Sequence, residues 1–351
     1  MRITVALVIA ILLLCSALFS EDVIRHPDPS RPLQDRWQWV VAEGGALKNG
    51  YWIGFSFDRM MPENEFIGSF YSDTNQRKSL LELLTGQKVV SNSSHSNRII
   101  LKEVAILFKV DSPSRIKSVQ ISHLSLFVPL QGRSLYWLGR VEPEASIPWL
   151  EKLYDSMPDE KVREDLIFAI SAHQKPALTI PFLQRALMDK SSEIRAEAAI
   201  CLASQNDPAT LPTLKSLVEK DSSKKVIENA MAGISEMKLP AATQMLINWT
   251  DTKYRREIRM AALIHLAEIA SEKTMTTLRN VAYSDSDTEV QKQALYALSD
   301  MEGEQGLTEV IRIAKNHPNP EVRKQAIYLL GDSEDPRARQ AIVEIVTSIK
   351  N

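Results

Sequence analysis

Apolar positions recur along the second half of this chain every 32 residues, at Val162, Ile194, Val226, Ile258, Val290 and Val322. Four residues after each anchor stand Leu166, Ala198, Ala230, Ala262, Ala294 and Ala326. Eight after it stand Ile170, Leu202, Ile234, Leu266, Leu298 and Leu330. On a 3.6-residue helix these three columns fall within about 80° of one another, so each set predicts one buried helical face. Three residues before the anchors come Asp159, Ser191, Ser223, Arg255, Asp287 and Asn319. All but Arg255 offer a side-chain oxygen to the free N–H groups of a first turn. Fourteen residues after the anchors Pro176, Pro208, Pro240 and Pro336 recur, where a missing N–H costs a new helix nothing. That second helix has its own apolar column at Phe182, Leu214, Leu246, Leu278, Val310 and Ile342. Each repeat is thus two short helices, and neither buries its apolar side without a neighbouring repeat.

The blocks Ser191–Ser192–Glu193–Ile194–Arg195 through Leu202, and Asp207–Pro208 through Leu214 and Leu217, resemble the HEAT-like repeats first named in phycobilisome lyase subunits. An arginine follows the anchor at Arg163, Arg195, Arg259 and Arg323, as that pattern implies, while Ile227 and Gln291 depart from it. Those departures interrupt any continuous polar ladder at the third and fifth repeats. Tyr136–Trp137–Leu138–Gly139 aligns with Tyr328–Leu329–Leu330–Gly331, which predicts a partial repeat from Ser134. The expected fold is therefore an α+β multidomain chain. A small β-rich domain precedes an all-α HEAT-like solenoid over 134–351, with about six repeats and a partial one. Only the repeat pattern is shared with the lyase subunits, and a fold does not transfer a reaction.

The N-terminal part has another texture. Arg2 followed by the apolar run Ile3–Leu14 reads as a signal peptide over 1–20, so the chain is expected to be exported to a bacterial periplasm or envelope, or secreted. A membrane enters only if that segment stays uncleaved or Cys15 is lipidated. Residues 21–33, with His26–Pro27–Asp28–Pro29–Ser30–Arg31–Pro32, read as a linker. Over 34–133, runs rich in aromatic and β-branched residues predict strands at Trp37–Val41, Tyr51–Phe57, Phe66–Tyr71, Ile99–Val110, Ile116–Ser122 and Leu124–Leu130. Asn49–Gly50 predicts a hairpin turn between the first two, and one helix is expected over Lys78–Leu84.

Charge and candidate chemistry change this picture little. With 42 basic and 44 acidic residues the chain is nearly neutral, so nothing suggests a polyanion binder and nucleic acid is not the expected partner. Loss of residues 1–20 would leave Cys201 as the single cysteine, so no intrachain disulfide is expected. Cys201 and His265 share an inward column seven residues after the anchor, which predicts a buried thiol and a partly buried, hydrogen-bonded imidazole. The six histidines show no zinc spacing, and Asp285–Ser286–Asp287–Thr288–Glu289 lacks the glycine of a calcium loop. No catalytic residue, cofactor or metal is expected.

The functional candidate is a surface. Six residues after the anchor, opposite the core, stand Phe168, Ile200, Ala232, Ile264, Tyr296 and Tyr328, with Tyr136 in the partial repeat. The resemblance implies that this helix lines the concave side, so the column predicts an apolar partner-binding stripe; the rival reading packs these side chains against neighbouring repeats. Flanking positions are acidic in every repeat, for example Glu193 with Glu197 and Glu257 with Glu268, which favours a basic or amphipathic protein segment. The last helix, with Ile342, Val343, Ile345, Val346 and Ile349, predicts docking or self-association at the C-terminal end. The expected function is non-catalytic protein binding or scaffolding. One rival places an enzyme's active site in the β-rich domain with the solenoid as docking arm, and another makes the chain a passive envelope structural protein.

Overall fold

The computed structural model describes residues 23–44, 50–63, 98–111, 115–123, 135–269, 271–301 and 304–348. The expected signal peptide, Cys15, the strands at Phe66–Tyr71 and Leu124–Leu130, the helix at Lys78–Leu84 and Ile349 lie outside them. Among the described residues no helix is long and apolar enough to cross a membrane. The chain forms two compact units, Met1–Phe182 and Leu183–Asn351.

In the first unit, β1 (Val23–Arg25), β2 (Tyr51–Pro62), β3 (Ile99–Asp111), β4 (Arg115–His123) and β5 (Leu135–Arg140) form one sheet in the order β1-β5-β2-β3-β4. β3 runs antiparallel to β2 and β4, whereas β5 is parallel to both β1 and β2. Tyr51–Phe57 and Val104–Phe108 are buried without interruption, the mark of central strands covered on both faces. On one face Ile53, Phe55, Ile106 and Phe108 lie in register. Over them pack Trp37 of α1 (Leu33–Gly44) and Trp149 of α2 (Pro143–Ser156), 5.0 and 5.9 Å from the Phe108 ring and edge-on to it. Edge strand β4 is covered by α3 (Glu160–Ser171), whose Asp165 accepts the Val119 N–H at 3.0 Å. Burial pushes that carboxyl up, against the Val119 N–H and Lys161, which hold it down.

Several expectations change here. Trp37–Val41 is not a strand but part of α1, because Leu33, Arg36, Val40 and Gly44 recur at helical spacing and are the residues buried. Strand propensity yielded to that periodicity. The first of the two strands that Asn49–Gly50 was expected to join is therefore a helix; Asn49 lies outside the described residues, and Gly50 adopts φ 71. Tyr136–Gly139 is strand β5, not a repeat helix, and the first repeat-like helix begins at Pro143. The stretch expected as a linker contains β1, and His26 packs edge-on against Trp39 at 4.9 Å.

After α4 (Pro176–Ala186), the second unit alternates first helices with second helices. The first helices are α5 (Ser192–Ser204), α7 (Lys224–Glu236), α9 (Arg256–Ala267), α11 (Thr288–Asp300) and α13 (Pro320–Asp332). The second helices are α6 (Leu211–Lys220), α8 (Pro240–Trp249), α10 (Glu272–Ser284), α12 (Glu304–Asn316) and α14 (Pro336–Ser348). Every anchor, with its +4 and +8 partners, is buried. Ser191, Asp287 and Asn319 cap their helices as expected; Ser223 makes no side-chain cap, and Asp221 instead accepts the Ser223 N–H at 2.8 Å.

The arginine column joins successive repeats. Arg195 reaches Asp221 at 2.8 Å and Arg259 reaches Asp285 at 3.1 Å. Burial would raise the Asp221 carboxyl, but the Arg195 bond and the Ser223 N–H outweigh it and hold it below its ordinary value. The interruptions fall where the sequence places them: Ile227 is buried apolar, and Gln291 receives a hydrogen bond from Asn319 at 3.1 Å. His317 takes the place that Asp221 and Asp285 hold in their turns, its Nδ1 accepting the Asn319 N–H at 3.1 Å.

Candidate partner-binding surface

In the second unit, first helices of consecutive repeats lie directly against one another, from α5 through α7, α9 and α11 to α13. The second helices stand farther apart, and clefts open between them. One of about 650 Å³ lies between α10 and α12, lined by Met275, Arg279, Thr308 and Glu309 among others. The first helices thus form the tighter layer, and the +6 side chains project from it.

That projection leaves Ile264 47%, Tyr296 37% and Tyr328 61% exposed, while Ile200 is half-buried. These four residues share one layer. The stripe narrows at the third repeat, where Ala232 offers only a methyl group. Phe168 sits on α3 of the first unit and is 47% exposed. Tyr136 belongs to β5 and is no part of a helical stripe.

Acids dominate beside the exposed rings. Lys292 is paired at 3.0 Å with Glu289 of its own helix, and Lys225 with Glu193 of the preceding repeat. Glu257, Glu321 and Asp332 are exposed and have no cationic partner among the described residues. Lys324 is an exposed opposing charge. The layer therefore offers apolar rings within a net negative field.

The other candidates resolve into structural roles. Cys201 is buried, its Sγ 3.6 Å from Glu197 Oε1, which is not the electropositive, exposed setting of a reactive thiol. His265 is largely buried, but its Nδ1 lacks the expected hydrogen bond; the Glu268 carboxylate lies 3.8 Å away. Asp285 and Asp287 are taken up by Arg259 and by the turn and helix N–H groups rather than converging on a cation site.

Sequence reasoning missed His173. Its Nε2 lies 2.8 Å from Ser146 Oγ, its Nδ1 3.0 Å from the Ala169 carbonyl, and its ring stacks on Phe57 at 3.9 Å. Burial pushes its pKa down to about 4, so it stays neutral in the fold. Both Ser146 and His173 are shut from solvent, so the pair is a packing bond and not a nucleophile with its base. Nothing in the repeat spacing marked it, because its partners come from the sheet and from α2.

A stack of antiparallel helix pairs with an exposed first-helix stripe defines an α-solenoid. The sequence pattern of HEAT repeats matches residues 147–235, 179–267 and 278–350, more than half of the chain, and the chain belongs to that family. Among solved structures it is similar to the complex of CpcE and CpcF of phycocyanin lyase from Nostoc, at 21% identity and TM-score 0.34, over 44% of this chain and 98% of that one. Human deoxyhypusine hydroxylase is 17% identical with TM-score 0.25, over 58% and 84% of the two chains. AlkD2 from Streptococcus mutans is 15% identical with TM-score 0.39, over 55% and 99%. These overlaps carry no activity to the present chain. No curated protein matches it.

Proposed function

We propose that this protein is a non-catalytic binding solenoid whose first-helix layer receives a basic, amphipathic protein segment. The supporting observation is the exposure of Ile264, Tyr296 and Tyr328 in a layer whose 0, +4 and +8 columns are all buried. Tyrosine rings present rigid amphipathic area at low entropic cost and are enriched among interface hot spots. The acids around them suit a cationic partner and repel nucleic acid. Arg2 and the apolar run Ile3–Leu14 support an exported, bacterial envelope protein that meets this partner outside the cytoplasm.

The test uses the mature chain and its Tyr296→Ala/Tyr328→Ala variant as baits in the native envelope fraction, followed by direct titration of the captured partner. The variant is expected to keep its far-UV circular dichroism and lose at least about 2 kcal/mol of binding, roughly thirty-fold. Undiminished binding by the folded variant would sink the stripe.

A further inference from the structure

Helices α9, α11 and α13 each carry an acid, an apolar side chain and a second acid along one line. Glu257, Glu289 and Glu321 stand seven residues before Ile264, Tyr296 and Tyr328. Glu268, Asp300 and Asp332 stand four residues after them. Steps of seven and four residues stay within about 40° of one side of a helix. All six acids are exposed.

The second acid row sits where it costs stability. Asp300 and Asp332 are the last residues of α11 and α13, Glu268 is the C-cap of α9, and α7 ends in the same way at Glu236. The last turn of a helix carries about half a negative charge, so a carboxylate there is repelled where a lysine would be attracted. None of α7, α11 and α13 has a basic residue in its last turn. Asp300 receives a bond from Ser299 Oγ at 3.4 Å, and Glu268 lies 3.8 Å from His265 Nδ1. Neither of them, nor Asp332, pairs with a lysine or arginine among the described residues. A local rule broken in successive repeats without an internal gain marks positions kept for an external partner.

Spacing and width select the backbone of that partner. Packed neighbouring helices lie about 8–10 Å apart, so Ile264, Tyr296 and Tyr328 form a row with roughly that step. Seven residues of α-helix advance about 10.5 Å and return to the same face, whereas same-face residues of a β-strand recur every ~6.6 Å. The two acid rows are eleven residues apart, about 16.5 Å along each helix axis. A helix about 10–12 Å across fills that space with basic side chains reaching both rows. A polyproline chain, with a step of about 9.3 Å, matches the apolar row but is too narrow to meet both acid rows.

We propose, resting on the stripe as the binding surface, that the basic segment it receives is an α-helix laid across α9, α11 and α13 with one heptad to each repeat. The apolar first position of each heptad sits on Ile264, Tyr296 or Tyr328. Lysines and arginines on its two flanks meet the two acid rows and neutralise the charge gathered at the helix C-termini.

The probe is a three-heptad synthetic peptide, with leucine at the first position of each heptad and lysine on both flanks, titrated by fluorescence anisotropy into the full chain. Two comparison peptides carry the same charge, one with the leucines moved off the heptad and one polyproline-based with leucine at every third residue. The heptad peptide is expected to bind saturably and to gain helical circular dichroism, and both comparisons to bind about ten-fold more weakly or worse. Glu268→Gln/Asp300→Asn/Asp332→Asn should weaken the heptad peptide about ten-fold, the scale of three exposed ion pairs together. The same variant should melt at a higher temperature, because the repulsion at the helix ends is gone. A folding defect cannot imitate that combination. Glu257→Gln/Glu289→Gln/Glu321→Gln should also weaken binding but lower the melting temperature, since acids in a first turn are favoured by the dipole. Equal binding of either comparison peptide, or binding indifferent to the C-terminal acids, overturns the helix and leaves the stripe standing. So does a lower melting temperature for the C-terminal triple variant, which would make those acids structural. Undiminished binding of the heptad peptide to Tyr296→Ala/Tyr328→Ala overturns the stripe itself.

Discussion

The two units build their cores by opposite routes. In the sheet unit, Trp52 of β2 sits beside Leu135 of β5, and Phe108 meets Trp37 and Trp149 from helices far apart in the chain. In the repeat unit, the Arg195–Asp221 bond spans 26 residues, and consecutive first helices pack on one another from α5 to α13. A sheet with helices packed on it stands or falls as one body, whereas a solenoid is a sum of repeats and nearest-neighbour junctions. The same physical damage should therefore spread differently in each.

The largest expected effect is on the core. Phe108→Ala should cost about 3–5 kcal/mol and strip hydrogen-exchange protection from β2 to β5 together. Leu298→Ala should cost about 2–5 kcal/mol, with the loss of protection confined to α11 and its adjoining repeats. Uniform loss over the whole repeat unit would erase the contrast.

A polar junction sharpens it. Arg259→Met leaves the Asp285 carboxylate buried and unpaired, at a cost of about 3–5 kcal/mol, and Arg259→Met/Asp285→Leu should recover most of it. Arg195→Met should cost less, because the Arg195–Asp221 pair is more exposed. Chemical denaturation of the three variants measures the difference.

The pH response should come from the sheet unit. An unfolded histidine takes up a proton near pH 6.5, but folded His173 does so only near pH 4. Its contribution is complete above about pH 6.5 and is lost as pH falls toward 4, amounting to about 3 kcal/mol. His173→Gln should flatten the stability profile in that window while leaving exchange in α7–α13 unchanged. An unaltered slope would place the pH response elsewhere.

The smallest effect is expected at the stripe. Removal of exposed Tyr296 and Tyr328 should change stability by no more than about 0.5 kcal/mol each, the usual range for surface positions. Differential scanning calorimetry would reveal the alternative, a loss of about 3–5 kcal/mol each, if the rings were inter-repeat packing.

What could be read without coordinates follows the same division. The anchors, the Pro-initiated second helices, the caps at Ser191, Asp287 and Asn319, and the breaks at Ile227 and Gln291 were legible because a repeat states each local rule several times over. The stripe from Ile264 to Tyr328 was legible for that reason too, as a column opposite the core. Where one copy existed, the reading divided: Tyr51–Phe57, Ile99–Val110 and Ile116–Ser122 were legible as β2, β3 and β4, but two other segments were misread. Trp37–Val41 has strand composition but folds as helix α1, and Tyr136–Gly139 has repeat-helix composition but completes a sheet as β5. In α1 helical periodicity overruled the segment's strand preference, and in β5 the neighbouring strands overruled a helical one.

The sequence by itself determined the helical repeat, its length and its buried columns, since periodicity and capping act within a few residues of each other. Tertiary structure alone decided the parallel seating of β5 and the neutral His173. Each depends on which groups from distant parts of the chain do or do not arrive to desolvate and pair it, and no local pattern encodes that meeting.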